Sequence, residues 1–134
     1  MVMNFKGGLN ITTSRSSRLS SAELIVLIQE FLDSKKAIDI ITIDLSDKSS
    51  IADYLVIASG QSSRQVGSMA ELLIKNLKSY GEMPTVEGIA QCEWVLVDVG
   101  DVVVHLFRPE VRSFYNLEKM WEHKTNDKAE HNVA

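Results

Sequence analysis

Cysteine and long apolar runs are scarce in this sequence, and their scarcity excludes several classes of protein. Among 134 residues there is one cysteine, Cys92, which excludes an internal disulfide framework and the common structural zinc sites and suits a reducing compartment. No apolar run approaches the roughly 18 residues that cross a bilayer, which argues against a transmembrane helix. With 45% apolar and 24% charged residues, the chain has the composition of one ordinary globular domain.

Basic residues are few in the main part of the chain. Fourteen Lys and Arg residues against 18 Asp and Glu residues give a formal net charge of −4 at neutral pH. Residues 1–21 hold three basic residues and no acidic one, so residues 22–134 hold 11 basic and 18 acidic residues, a net charge of −7. Such a body binds phosphate backbones poorly, because that binding depends on Lys and Arg displacing counterions. We therefore expect a basic protein, rather than nucleic acid, as its direct partner.

Residues 1–21 (MVMNFKGGLNITTSRSSRLSS) are rich in Ser and Thr and contain no apolar stretch of the kind that a secretory signal peptide needs. This composition is typical of an organelle transit peptide and also of a flexible N-terminal extension. Because a convincing amphipathic stripe is missing, we predict a flexible extension, and a transit peptide is the alternative.

Apolar periodicity predicts one domain over residues 22–122, followed by a polar tail over residues 123–134. Helical spacing predicts three helices, the first with its N-cap at Ser21 and the last opening with Pro109. Short β-branched runs predict four strands, and a further short strand near residues 85–86 is left open. The order α-β-β-α-(β)-β-β-α gives an α/β sandwich, an α+β fold with a mixed sheet. The predicted helices cover residues 22–36, 64–80 and 109–122, and the strands cover residues 39–45, 54–59, 93–99 and 101–107.

The last two predicted strands form a β-hairpin whose faces differ in chemistry. Gly100 and Asp101 suit the two central positions of a type II′ turn, a register that pairs Val99 with Val102 and Trp94 with Phe107. Because side chains alternate between the faces of a sheet, this register separates two sets of residues. The aliphatic face carries Val95, Val97, Val99, Val102, Val104 and Leu106, and the mixed face carries Trp94, Leu96, Asp98, Val103, His105 and Phe107.

The aliphatic face must be covered by helices, whereas the mixed face has two interpretations. In the first, helices cover this face as well, and Asp98 and His105 are hydrogen-bonded to each other or to backbone groups. In the second, the face is a protein-docking surface anchored by Trp94 and Phe107. Three amphipathic helices are too few to seal both faces of a sheet of at least four strands. We therefore favour docking.

Candidate catalytic and metal-binding residues form no recognisable constellation. The junction 60–64 precedes a helix and offers N–H groups that suit phosphate, so a nucleotide-binding or nucleotidyl-transferring enzyme is the alternative function. Nucleotidyl transfer needs carboxylates that share a metal ion, but the spacing of Asp39 and Asp44 places them on opposite faces of one strand. Cys92 and the histidines lack the spacing of a nucleophilic pair or a metal site, and Arg112 is interpreted as part of a solvated helix side. We predict no enzyme, no cofactor and no metal ion.

The chain contains the run DLSDKSSIADYLVIASGQSSRQV, followed by VEG, EWVLVDVGDVVVHLF and PEVRSFYNLEKMW. In their order and spacing these motifs resemble the ribosomal silencing factor family, RsfS or Iojap, over about residues 22–122. The resemblance implies a nucleotidyltransferase-like fold that lacks the catalytic carboxylates, and a function without catalysis.

The resemblance also implies a repressor of translation. Members of that family bind ribosomal protein fourteen of the large subunit and block joining of the small subunit when nutrients are scarce. They act in the bacterial cytoplasm and have mitochondrial and chloroplast counterparts. We therefore expect a cytoplasmic bacterial protein, and an organelle is the alternative if residues 1–21 direct import.

Family motifs assign partner-binding residues by position. The tryptophan of EWV falls on Trp94, the GDVVVH segment on residues 100–105, and the tyrosine after SSIAD on Tyr54. We predict that Trp94 anchors the partner while Asp98 and Asp101 supply charge-assisted contacts. The same surface suits a symmetric homodimer of the free protein. The predicted partner-binding set is Trp94, Asp98, Asp101, Val103, His105, Phe107 and Tyr54.

Overall fold

A computed structural model describes residues 19–48, 50–116 and 119. The described chain forms three helices and five strands in the predicted order, including the strand that the sequence left open. Residues 1–18 and 120–134, which include the predicted tail with His123 and His131, lie outside the described residues. The helices are α1 (Ser21–Ser34), α2 (Ser63–Ser79) and α3 (Pro109–Tyr115), and the strands are β1 (Ile38–Asp44), β2 (Tyr54–Ser59), β3 (Thr85–Glu87), β4 (Trp94–Asp98) and β5 (Val102–Phe107).

The strands form one mixed sheet in the spatial order β1-β2-β5-β4-β3. Strands β2 and β5 run parallel, and all other neighbours run antiparallel. A parallel pair needs a long crossover connection, which the chain supplies through α2, β3 and β4. The predicted α+β fold with a mixed sheet is confirmed, and the likeness to nucleotidyltransferases stays a prediction.

The β4–β5 hairpin has the predicted register. Trp94 lies opposite Phe107, and the Val99 N–H donates to the Val102 carbonyl at 3.0 Å. Gly100 has a φ of 95°, the positive value that the first central position of a type II′ turn requires. The separation of the hairpin into an aliphatic and a mixed face is therefore confirmed.

Helices α1 and α2 cover the aliphatic face. All six of its side chains are buried, and they form one cluster with buried side chains from both helices. This cluster is the larger of two in the described chain, so it forms the main core. The helix residues in it share helical spacing and are Leu24, Ile25, Ile28 and Leu32 of α1 and Val66, Met69, Ala70, Leu73 and Leu77 of α2.

A capping box starts α1 one residue earlier than predicted. The Ser20 hydroxyl accepts from the Glu23 backbone N–H at 3.2 Å, and the Glu23 carboxylate accepts from the Ser20 backbone N–H at 2.9 Å. This reciprocal pair needs Ser and Glu three residues apart, a spacing that Ser20 has and Ser21 lacks. The predicted N-cap at Ser21 is therefore wrong by one residue.

The last helix differs from the prediction in length and in orientation. Helix α3 ends at Tyr115, because Asn116 adopts a left-handed conformation as its C-cap, so a continuous helix to residue 122 is wrong at this point. Arg112 is 7% exposed rather than solvated. Its Nη1 donates to Ser59 Oγ at 2.9 Å and to the Ile38 carbonyl at 3.4 Å. These bonds join α3 to the adjacent ends of β1 and β2.

Candidate docking site

The mixed face is covered only in part. The described structure places α3 and the loop residues Leu45 and Ala52 on this side, with Val111 of α3 packed against a second core cluster. Trp94, Leu96 and Asp98 of β4 remain half-buried. The described residues thus seal the face beside β2 and leave it open toward β4 and β3. The interpretation that the chain covers the face applies to the part beside β2, and docking stays a prediction for the open part. The buried members of the second cluster are Leu45, Ala52, Leu55, Ile57 and Phe107.

Three rings lie together at the centre of the mixed face. The ring centroids of Trp94 and Phe107 are 4.9 Å apart, and those of His105 and Phe107 are 6.0 Å apart in a stacked arrangement. Phe107 is fully buried, so its predicted place in the docking surface is wrong: α3 and the loop cover it. The buried Phe107 ring instead packs against the half-buried indole of Trp94 and supports it.

A hydrogen bond joins Trp94 to His105. The indole Nε1 donates to the imidazole Nδ1 at 2.8 Å. Burial lowers the pKa of His105 to about 4, so the ring is neutral at neutral pH and carries its proton on Nε2. With 9% exposure, His105 lies mostly beneath the surface, so it contributes to the docking site mainly through Trp94.

The two predicted aspartates lie at the hairpin turn. Asp98 Oδ1 accepts from the Gly100 backbone N–H at 2.8 Å, which holds the turn and leaves the half-buried carboxylate at the end of β4. Asp101 is exposed, and its carbonyl accepts from the backbone N–H groups of Asp53 and Tyr54 at 2.8 and 3.1 Å. The turn is therefore anchored through its backbone to the start of β2, and the Asp101 side chain lies at the rim of the mixed face.

Tyr54 lies apart from the other predicted partner-binding residues. It is opposite Val102 in the β2–β5 ladder, which places its side chain on the same face as Val102, the aliphatic one. There it packs against the cluster that α1 and α2 cover. Tyr54 and Trp94 therefore lie on opposite faces of the sheet, because a side chain and its lateral neighbour in a sheet share a face, and a partner-binding role for Tyr54 stays a prediction.

Strand β3 extends the mixed face with residues that the sequence analysis missed. Thr85 lies opposite Asp98 and Glu87 opposite Leu96, so both share the face of Trp94, and both are exposed. Gly88 has a φ of 84°, and a Cβ there would collide with the Trp94 carbonyl, so only glycine permits this close approach. Two features of the sequence could have identified these residues. One is the possible short strand near residues 85–86, and the other is the charge of residues 85–107, which contain four acidic residues and no Lys or Arg.

The phosphate-binding alternative rested on the junction 60–64. The Ser62 hydroxyl caps α2 by accepting from the Gln65 backbone N–H at 3.1 Å. The Gln65 side chain in turn accepts from the Gln61 backbone N–H at 2.7 Å. Two of the N–H groups that phosphate would use are therefore already bonded within the chain, as in an ordinary N-cap.

Residues 19–48, 50–116 and 119 contain neither a candidate metal site nor a candidate membrane-spanning helix. No group of three or more His, Cys, Asp or Glu side chains there could hold a metal ion. Asp39 and Asp44 lie near opposite ends of β1, and Cys92 Sγ donates to the Ile89 carbonyl at 2.8 Å. No helix in this part of the chain is both long and apolar enough to cross a membrane.

Known proteins resemble this chain over most of its length. The family model described as "Ribosomal silencing factor during starvation" matches residues 18–134. Ribosomal silencing factor RsfS of Zymomonas mobilis is 56% identical over 99 residues, which are 73% of this chain and 74% of that protein. A mouse protein named "Mitochondrial assembly of ribosomal large subunit protein 1" is 35% identical over 77% of this chain and 47% of its own length.

A solved structure agrees with the fold. The crystal structure of a Chromobacterium violaceum protein superimposes with a TM-score of 0.75 at 39% identity and covers 78% of this chain and 88% of that one.

Proposed function

The chain belongs to the RsfS family of ribosomal silencing factors, and we propose that it represses translation by binding the large ribosomal subunit through ribosomal protein fourteen. Bound there, it blocks joining of the small subunit sterically and performs no catalysis. The relatives carry the name of a regulatory factor, which agrees with this role. The observation that carries the proposal is the half-buried Trp94 on a sheet face that α1 and α2 leave uncovered.

We define the docking site as Trp94, Leu96, Asp98 and Val103 of the mixed face, with Asp101 and Glu87 at its rim. An aromatic side chain surrounded by partly buried apolar and acidic groups has the chemistry of an interface anchor and its rim. Because residues 85–107 carry four acidic residues and no Lys or Arg, the site favours a basic partner, and ribosomal proteins of the large subunit are typically basic.

The first experiment measures co-sedimentation of the protein with purified large subunits. Losing a central aromatic anchor costs about 2 kcal/mol or more of binding free energy, so Trp94→Ala should weaken binding about thirtyfold or more. Tyr80→Ala is the matched control, because Tyr80 is 46% exposed and ends α2, on the helix side of the sheet. Binding by Trp94→Ala that equals wild type would contradict the proposal.

A second variant separates binding from folding, since Trp94 also packs on Phe107. Asp101 is exposed, and its backbone carbonyl accepts the hydrogen bonds from Asp53 and Tyr54, so Asp101→Lys should leave the melting temperature nearly unchanged while weakening binding. Glu30→Lys on α1 makes the same change of charge on the helix side and should bind as wild type. Equal effects of the two reversals would mean that net charge, not this site, governs binding.

The identity of the partner is tested with purified components. Ribosomal protein fourteen alone should capture the wild-type chain and fail to capture Trp94→Ala. Capture by whole large subunits but not by the isolated protein would instead indicate an adaptor that docks elsewhere on the ribosome. A subunit-joining assay then tests repression: the wild-type chain should lower the yield of joined ribosomes, and Trp94→Ala should not.

The docking site also suits a second copy of the chain when no ribosome is present. A two-fold pairing would bury the same apolar centre from both partners. Sedimentation equilibrium of the free protein should show a dimer that Trp94→Ala weakens, and addition of ribosomal protein fourteen should dissociate it. A monomer at all concentrations would contradict the pairing but not the ribosomal role.

A further inference from the structure

His105 is placed to control the side chain that we assign as the anchor. It lies on β5 opposite Leu96 of β4, and Trp94 is the next residue along β4 on the same face. The imidazole is 9% exposed, whereas the indole is half-buried and reaches the surface. The imidazole of His105 therefore lies beneath the surface and the indole of Trp94 reaches it, on the same face of the sheet, with the ring centroids 5.8 Å apart.

Only the indole can be the donor in the hydrogen bond between Trp94 and His105. Indole nitrogen is only a donor, so the 2.8 Å contact requires His105 Nδ1 to accept. Burial lowers the pKa of His105 to about 4, which keeps the ring neutral and able to accept at neutral pH. The ring of the buried Phe107 stacks beside the imidazole with their centroids 6.0 Å apart, and it also lies against the indole, so it packs beside both rings.

The hydrogen bond restricts the side-chain rotation of Trp94 that packing alone leaves open. A half-buried indole can rotate about two side-chain torsions, and an interface that uses it must restrict these torsions on binding. A hydrogen bond from Nε1 to a buried acceptor sets both torsions before the partner arrives. Because this bond uses the only N–H of the indole, what Trp94 offers a partner is its aromatic ring.

We propose that His105 is a positioning residue, which holds the Trp94 indole in its binding orientation without itself contacting the partner. The inference rests on the proposed function, since it assumes that the Trp94 site docks on the ribosome. It goes further by naming what the partner must present at Trp94: an apolar or cationic group rather than a hydrogen-bond acceptor.

Two substitutions at one position separate the acceptor from the volume of the ring. Asn places its Oδ1 near the location of His Nδ1 and keeps an acceptor, whereas Leu fills similar space without one. His105→Leu should weaken binding to large subunits roughly tenfold, and His105→Asn should recover most of that loss. In the Trp94→Phe background, which has no donor, His105→Leu should add little further loss.

A second readout tests positioning in the free protein. The chain has two tryptophans, so Trp121→Phe leaves one indole N–H signal in the NMR spectrum. That signal should exchange slowly with solvent in the otherwise wild-type chain and in His105→Asn, and rapidly in His105→Leu. Melting temperatures of all variants show whether they remain folded under the binding conditions.

Three results would overturn the inference. One is an indole N–H that already exchanges rapidly in the wild-type chain, and another is full binding by His105→Leu despite a freely exchanging indole. Equal losses of affinity for Leu and Asn would assign His105 to packing alone. If Trp94→Ala binds as wild type, the proposed function fails instead, and the exchange rates still decide whether His105 holds the indole.

Discussion

The two faces of the sheet are built from alternating residues of the same strands, yet they are covered very differently. Two long helices close the aliphatic face, where no hairpin side chain is more than 8% exposed. Among the described residues, one short helix and part of a loop cover the mixed face, and they leave Trp94 and the acidic end of the hairpin half-buried. The comparison shows that a uniformly apolar face is completed by its own chain, whereas the mixed face keeps an aromatic side chain accessible.

The largest expected difference between the faces is in stability. Leu106 and Val103 lie on the same strand, but Leu106 is fully buried against the helices and Val103 is half-buried on the mixed face. Leu106→Ala should lower the free energy of unfolding by about 2–5 kcal/mol. Val103→Ala should cost about 1 kcal/mol, because it removes less buried area. Urea denaturation measures both, and equal losses would mean that the mixed face is as closed as the aliphatic one.

Acid should act on the mixed face through His105. Its pKa is about 4 in the folded chain and about 6.5 when unfolded, so the unfolded state binds the proton first as the pH falls. The contribution is fully present above about pH 6.5 and is lost toward pH 4, on the order of 3 kcal/mol over that window.

The test compares unfolding free energies of wild type and His105→Asn across the same pH range. Carboxylates titrate in both chains, so the difference between them isolates the histidine. The wild-type chain should lose more stability than the variant between pH 6.5 and pH 4. Parallel curves would mean that His105 titrates normally and is not desolvated.

The helix side should show a smaller effect at the capping box of α1. Ser20→Ala removes the hydroxyl that accepts from the Glu23 backbone N–H and should lower the unfolding free energy by about 1 kcal/mol. Ribosome binding should be unchanged, because α1 lies on the aliphatic side. Ser21→Ala is the matched control and should have little effect; a larger loss at Ser21 would contradict the assigned cap.

The smallest expected effect concerns the charge at the rim of the docking site. Asp101→Asn should slow association with large subunits roughly twofold and reduce its dependence on ionic strength, since a rim charge acts mainly on the association rate. Glu30→Gln removes an equal charge from α1 and serves as the control. Stopped-flow association rates at several salt concentrations measure both, and identical slopes would place the electrostatic attraction elsewhere.

Local pattern predicted most of the fold. Helical spacing located α1 and α2, β-branched runs located the strands, and Gly100 with Asp101 predicted the register that the hairpin has. The errors lie at the ends of helices. At the start of α1, two neighbouring serines could each be the N-cap, and the structure uses Ser20; at the end of α3, the left-handed Asn116 stops the helix earlier than predicted.

The sequence predicted which hairpin residues share the face of the candidate site, but not which of them the rest of the chain covers. Alternation alone placed Trp94, Asp98, Val103 and His105 on one face. It did not show that Phe107 is sealed by α3 and the loop, nor that Arg112 turns inward to Ser59. Tyr54 was assigned from a motif, and the parallel pairing of β2 with β5, which joins segments distant in sequence, places it on the other face.

By itself, the sequence determined the elements, the hairpin register and the chemistry of each hairpin face, because turn residues and side-chain alternation act within a few residues of one another. Only the tertiary structure decided how far each face is covered, which residues of β3 join it, and that the indole of Trp94 donates to a buried imidazole. These features depend on where distant segments pack, and that packing is set by the shape and volume of the whole core rather than by any local pattern.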